Sequence, residues 1–296
     1  MKLAAAPISW GVSEVPGWGV QLDPDRVLDE IADAGLDATE LGPAGFLPAD
    51  PVAIRERLGA RGLALVGGFV PAVLHHTAER AAGLHRVRES AALLADAGAT
   101  VLVLAAATGE TGYDAPYRPD AVEWEVLRGG LGAAQQIAAE RGLTLAFHPH
   151  YGTVVEREAD VRLLLDSTDV ALCLDTGHLL AAGADPLAIA REAGARIAHV
   201  HLKDVDAALA ARVRARQVGY REAVRAGLYR PLGEGDLDLG GLLEILRGQG
   251  YDGWHVLEQD LVLETGDDPA RPLVNVRASV GFLRGLVAAS PRAGTS

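Results

Sequence analysis

Eight short, almost uninterrupted apolar runs punctuate this chain, at 3–8, 38–41, 63–70, 100–105, 143–147, 170–174, 196–200 and 254–257. A run apolar at nearly every position reads as a strand covered on both faces. Such strands belong to parallel sheets whose crossovers are helices. The stretches between them are rich in Ala, Leu, Arg and Glu and predict helices over 23–34, 51–60, 77–97, 121–141, 156–165, 186–193, 239–247 and 276–288. Asp23 before Pro24 is a helix start. The joints Ala34-Gly35-Leu36, Arg61-Gly62-Leu63, Ala97-Gly98-Ala99 and Arg141-Gly142-Leu143 repeat one helix stop ahead of a strand. Eight alternations are the number that closes, so the expected fold is α/β, a (β/α)8 TIM barrel. An open doubly wound sheet shares the alternation, but no Gly-x-Gly-x-x-Gly follows an early strand, which counts against a dinucleotide fold.

A chain of 296 residues can bury one barrel core. The expectation is a single domain over 1–289, with a tail at 290–296 expected to be disordered. The segment 205–238 is too long for a plain connector; it reads as helical over 207–226 and as an insertion over the barrel mouth. A loop at 109–119 is expected to be mobile on the same face. A net charge of -13 disfavours nucleic acid as a partner, because that affinity rests on Lys and Arg. The single cysteine, Cys173, excludes an intramolecular disulfide and reads as a packed thiol in a reducing compartment. No leader and no membrane-spanning run is read, so a cytoplasmic protein without a membrane partner is expected.

The chemistry gathers at the ends of the runs. Asp175, His201 and Glu258 end runs six, seven and eight, and a barrel brings such ends together at its C-terminal mouth. Each alone could be an ordinary hydrogen-bonded polar residue; together, carboxylate and imidazole suit a divalent metal. His178 lies three residues past Asp175. Lys203 lies two past His201 and so shares its face; repelled by a metal, it is expected across the substrate space. His148 and His150 alternate at the end of run five. Glu156 is a substrate candidate, although an acid at a helix start also favours the dipole. Glu40 is read as a substrate contact and Trp10 as an apolar wall of the pocket. His75 and His76 read as a solvated loop, His85 as surface, and His199 and His255 as barrel packing.

The segments Pro7-Ile8-Ser9-Trp10-Gly11, Thr39-Glu40-Leu41-Gly42, His148-Pro149-His150-Tyr151-Gly152-Thr153, Leu174-Asp175-Thr176-Gly177-His178, His199-Val200-His201-Leu202-Lys203-Asp204 and Gly233-Glu234-Gly235 resemble the xylose-isomerase-like barrels of the sugar isomerase, epimerase and dehydratase group. The resemblance spans nearly the whole chain. The His148 to Thr153 stretch is its narrowest part and points to the inosose dehydratase branch. The resemblance implies a metal held by Asp175, His201 and Glu258. Mn²⁺ is expected first, with Co²⁺, Mg²⁺ or Zn²⁺ as alternatives. His148 stands where the isomerases place a Glu, so His148, His150 and Glu156 compete as fourth ligand, and His148 is preferred. One carboxylate fewer favours elimination of water from a small keto-polyol over epimerisation of a keto-sugar. His150 and His178 are then the proton carriers, and Lys203 holds the ketone or helps hydroxide leave. An isomerase or epimerase on the same metal is the rival. A phosphodiesterase and an inactive sugar-binding barrel are weaker readings. A homo-oligomer stays open.

Overall fold

The structure, a computed structural model, describes residues 1–289. The expected tail at 290–296 lies outside the described residues. The strands in chain order are β1 Lys2–Ala5, β2 Ala38–Thr39, β3 Ala64–Leu65, β4 Gly67–Ala72, β5 Val101–Ala106, β6 Thr144–Phe147, β7 Ala171–Asp175, β8 Ile197–Leu202, β9 Asp204–Val205, β10 Tyr229–Arg230 and β11 Trp254–Leu257. Nine of them form one sheet in the order β3-β2-β1-β11-β8-β7-β6-β5-β4, and β9 and β10 form a separate antiparallel ribbon.

The two ends of that sheet, β3 and β4, are pieces of one run interrupted at Val66. Its N–H donates to the Thr39 carbonyl (2.9 Å), while its own carbonyl accepts from the N–H groups of Thr100 (3.2 Å) and Val101 (3.3 Å). Val66 thus passes the hydrogen bonding from β2 to β5 and closes eight runs into a barrel. The expected second run, 38–41, is shorter than read. Gly42 leaves it in a left-handed conformation (φ +71°), and Pro43 has no N–H to continue a ladder.

Helices α1 Pro24–Asp33, α2 Pro51–Gly59, α3 Arg80–Asp96, α4 Ala121–Ala139 and α5 Glu158–Ser167 follow the early strands. The Asp23 side chain accepts from the N–H groups of Asp25 and Arg26, so the helix start read from sequence is a working cap. The glycines at the four repeated joints all have positive φ, the left-handed stop that L side chains resist. Helix α6 Thr176–Ala182 was not foreseen. It follows β7 without a loop, because the Asp175 side chain caps it through the His178 N–H (2.8 Å). Helices α7 Pro186–Ala193, α8 Ala207–Arg214, α9 Tyr220–Arg225, α10 Leu239–Gly248 and α11 Arg271–Ala289 complete the chain.

The single helix read over 207–226 is two, α8 and α9. The break falls where Arg216 takes a positive φ (56°) and Gly219 an extended one. Together with the ribbon and Trp18 they make a second, smaller apolar cluster that includes Tyr220 and Tyr229. Asp204 fastens the return of this segment: its carboxylate accepts from the N–H groups of Gly233 (2.8 Å), Gly235 (3.0 Å) and Leu237 (3.1 Å). A Cβ on Gly235 would lie 2.2 Å from the Asp204 carboxylate, which explains the glycine. No helix among the described residues is long and apolar enough to cross a membrane.

Candidate metal and active site

Three successive barrel strands, β7, β8 and β11, deliver Asp175, His201 and Glu258 to the mouth. One donor atom from each lies within 4.8 Å of the other two, and all three residues are buried. His201 Nε2 sits 3.1 Å from Glu40 Oε1, which His199 Nε2 also meets at 2.8 Å. That contact fixes the ring and turns Nδ1 toward Glu258 Oε2 (3.2 Å) and Asp175 Oδ2 (3.5 Å). Burial pushes Glu40 up, but the two imidazoles outweigh it and hold the carboxyl far below its ordinary value. A carboxylate behind a ligating imidazole is the usual outer partner that sets ring orientation and basicity.

The donors fit a divalent cation. His201 Nδ1 is buried and has no hydrogen-bond partner, although two carboxylate oxygens stand near it. Two carboxylates and an imidazole nitrogen make a set that Mn²⁺, Co²⁺ or Zn²⁺ accepts. His148 joins them, with Nε2 3.1 Å from Asp175 Oδ2.

The Asp175-Thr176-Gly177-His178 motif has a local cause. The Thr176 hydroxyl accepts from the Lys203 N–H (2.8 Å) and donates to the Lys203 carbonyl (2.6 Å). A Cβ on Gly177 would lie 2.5 Å from the Lys203 side chain. The motif therefore clamps β7 to the end of β8 and leaves room for one lysine. The Lys203 ammonium donates to Asp175 Oδ2 (3.0 Å) and Glu258 Oε2, and pairs with Asp260 Oδ1 (3.2 Å). Asp260 also accepts from the Tyr220 hydroxyl (2.9 Å). Burial and the charges of Glu258 and Asp175 push its carboxyl up to about 6 despite Lys203.

The His150 and His178 rings lie against one another, centres 3.6 Å apart and planes tilted by 34°. His150 Nδ1 donates to the Tyr151 carbonyl (2.7 Å), which leaves Nε2 with its lone pair. Burial, reinforced by His148, pushes His150 down to about 3; burial and His150 hold His178 well below its ordinary value. Both rings are therefore neutral near pH 7. A cavity of about 440 Å³ opens above this group, with His148, His150, His178, Glu258 and Asp260 in its wall.

The family model for the xylose isomerase-like TIM barrel matches residues 28–284. The chain belongs to that family. Among its relatives, an inosose dehydratase of Geobacillus kaustophilus is 32% identical over 280 residues, covering 91% of this chain and 88% of its own. The rhizopine catabolism protein MocC of Rhizobium meliloti is 32% identical over 301 residues, covering 98% and 90%. Two solved barrels superpose along nearly their whole length. A probable 3-DHS dehydratase of Bacillus anthracis has TM-score 0.70 at 15% identity, covering 96% of this chain and 99% of its own. A D-psicose 3-epimerase has TM-score 0.71 at 18% identity, covering 98% and 100%. The two solved structures are similar in fold.

Within this xylose isomerase-like barrel, several sequence expectations are corrected. Lys203 is on the face expected of it but inside the acid cluster, not across the substrate space. Three buried carboxylates attract the ammonium more strongly than open cavity does. Trp10 is fully buried and absent from the cavity wall; its Nε1 donates to Glu30 on α1 (2.8 Å). Ile8, Val12, Trp18 and Phe69 form the apolar wall instead. Glu156 is also absent from that wall: it accepts from the Gly152 N–H (2.9 Å) and so holds the turn after His150. Glu40 reaches the cavity, but its Oε1 is engaged by His199 and His201. His75 is buried at 1% exposure against His76 and Tyr117, not solvated. Asp260 and Tyr220 were missed. Asp260 carried a signal, the two-residue step from Glu258; Tyr220 lies in a segment with no strand register to read.

Proposed function

We propose that the chain is a divalent-metal-dependent dehydratase that eliminates water from a keto-polyol such as 2-keto-myo-inositol. The observation that carries this is the Asp175, His201 and Glu258 donor cluster, whose Glu258 shares a cavity wall with two neutral imidazoles, His150 and His178. The identity to an inosose dehydratase supports it. In this reading Asp175, His201, Glu258 and His148 hold the metal, and Mn²⁺ is the ion expected. The metal, when bound, supplies positive charge that polarises the ketone and stabilises charge developing on its oxygen.

The chain's own groups move the protons. His150 takes the α-proton on Nε2, and the C–H electron pair becomes the new carbon–carbon double bond. The β C–O bond breaks, and the departing oxygen receives a proton from the Asp260 carboxyl, whose pKa burial has raised to about 6, leaving as water. Burial keeps His150 neutral, in the form that accepts a proton, and brings the Asp260 carboxyl toward neutral pH, where it can give one. Lys203 keeps Asp175, Glu258 and Asp260 in register from beneath the cavity. Helices α8 and α9 lie over the mouth, and their Tyr220 positions Asp260.

Incubation of Mn²⁺-loaded protein with 2-keto-myo-inositol, with products resolved by chromatography and mass, tests this. Loss of one water is the expected result. An unchanged mass with altered retention assigns an isomerase or epimerase instead, and no turnover of any keto-polyol overturns the reading.

A further inference from the structure

The mouth cavity does not end at the charged cluster. Past Phe69 it passes through the barrel wall, between the segment 41–44 and β4, and reaches Arg86, Ser90 and Leu93 on the outer helix α3. The opening has a backbone cause. β2 pairs only over Ala38–Thr39, and beyond it the Leu41 N–H donates to the Gly67 carbonyl (2.9 Å). Gly42 and Pro43 then turn the chain away, while β4 continues to Ala72 paired with β5. Backbone groups of alternate residues along a strand face the same neighbour. Those of Phe69 and Pro71 therefore lie on the side of the Gly67 carbonyl, toward the opening. Pro71 has no N–H to leave unpaired there.

The walls of this arm are apolar, made by Leu41, Pro43, Ala44, Val70 and Leu93, and the exposed Arg86 marks its outer end. A bare polyol ring needs none of this. Its hydroxyls would lose water in the arm without finding partners, and 440 Å³ is in the range (about 300 to 1,000 Å³) of pockets for much larger ligands. We propose that the arm is a second subsite, and that the substrate is a keto-polyol carrying an apolar substituent on one ring oxygen. The ring lies among His150, His178 and Asp260, and the substituent passes between Pro43 and Pro71 toward Ser90. The identity of the ring rests on the dehydratase reading; the subsite itself does not.

The test compares 2-keto-myo-inositol with each of its mono-O-propyl ethers, by turnover and, separately, by calorimetric binding to the Mn²⁺-loaded protein. One buried methylene is worth about four-fold, so one ether should exceed the parent by at least about ten-fold in kcat/KM and in affinity. Ala44→Trp and, independently, Ser90→Phe should bring that ratio close to unity. If the parent is turned over and no ether is better or tighter, the subsite is overturned and the dehydratase reading stands. If nothing is turned over but one ether binds tighter and both variants erase the gain, the subsite stands and the dehydratase reading falls.

Discussion

The two halves of the barrel mouth are built from the same kind of strand and do opposite things. On one side β7, β8 and β11 stay paired to their ends, past a single irregularity between Leu172 and Cys173, and those ends present Asp175, His201, Lys203, Glu258 and Asp260, all buried. On the other side β2 is two residues long, β4 continues without it, and the wall is Leu41, Pro43, Val70 and Leu93. Full pairing satisfies the backbone up to the strand end, so side chains there can be held rigidly enough to concentrate charge. Where pairing stops early, the same barrel offers space and apolar surface instead. Register, more than residue type, divides the mouth.

Substitutions on the charged half should have the largest effects. Glu258→Gln removes one donor carboxylate. We expect turnover to fall by more than about 1,000-fold, with metal content lost in parallel, because the ion's charge stabilises the transition state. Full metal content in this variant would remove Glu258 from the ligand set.

Lys203→Met should be nearly as damaging, but to folding. It leaves Asp175, Glu258 and Asp260 without their ammonium, and breaking a buried pair costs about 3 to 5 kcal/mol. A large drop in Tm of the metal-free protein, partly restored by added Mn²⁺, is the expected outcome. An unchanged Tm would return Lys203 to the position first read from sequence, across the substrate space.

Glu40→Gln keeps the shape but loses the charge behind His201. Removing such an outer partner typically weakens metal affinity by about 10- to 100-fold, readable by competition with a chelator while Tm moves little.

The smallest effect belongs behind the apolar half, at His75. Burial pushes this imidazole down to about 4, below its ordinary value near 6.5. The unfolded chain therefore binds the proton first, and stability is lost as pH falls from about 6.5 to about 4. His75→Leu should flatten the fall in stability across that window relative to the parent. Parallel pH profiles for the two proteins would contradict the burial of this ring.

The sequence was most legible where a two-residue step could be counted. Asp175, His201 and Glu258 could be placed at one mouth because each ends an apolar run, and Lys203 could be put on the face of His201 for the same reason. The step fails after β1. Residues Pro7–Trp10 form a 3-10 turn, so Trp10 points to α1 and Glu30 rather than into the pocket. Glu40 reads locally as a strand end; its partner His201 is 161 residues away, and nothing local announces it. Lys203 was misplaced for a related reason: the third acid that draws it in, Asp260, was not counted. The barrel itself was legible from the apolar runs and the glycine stops, but the break at Val66 was not, because a run apolar throughout gives no sign of where it changes partners.

That break at Val66 has a consequence for how the molecule breathes. A closed ring of strands opens first where its ladder is thinnest, and here the β2 side is joined by a few bonds around Val66 and Leu41. Their amides should exchange with solvent deuterium sooner than those of β7 and β8. The cheapest partial opening of the barrel therefore lies next to Glu40, the carboxylate that holds the outer nitrogen of His201. When that seam parts, the brace behind the His201 ring loosens with it, so the thinnest joint of the barrel and the orientation of one metal-site imidazole share a single hinge.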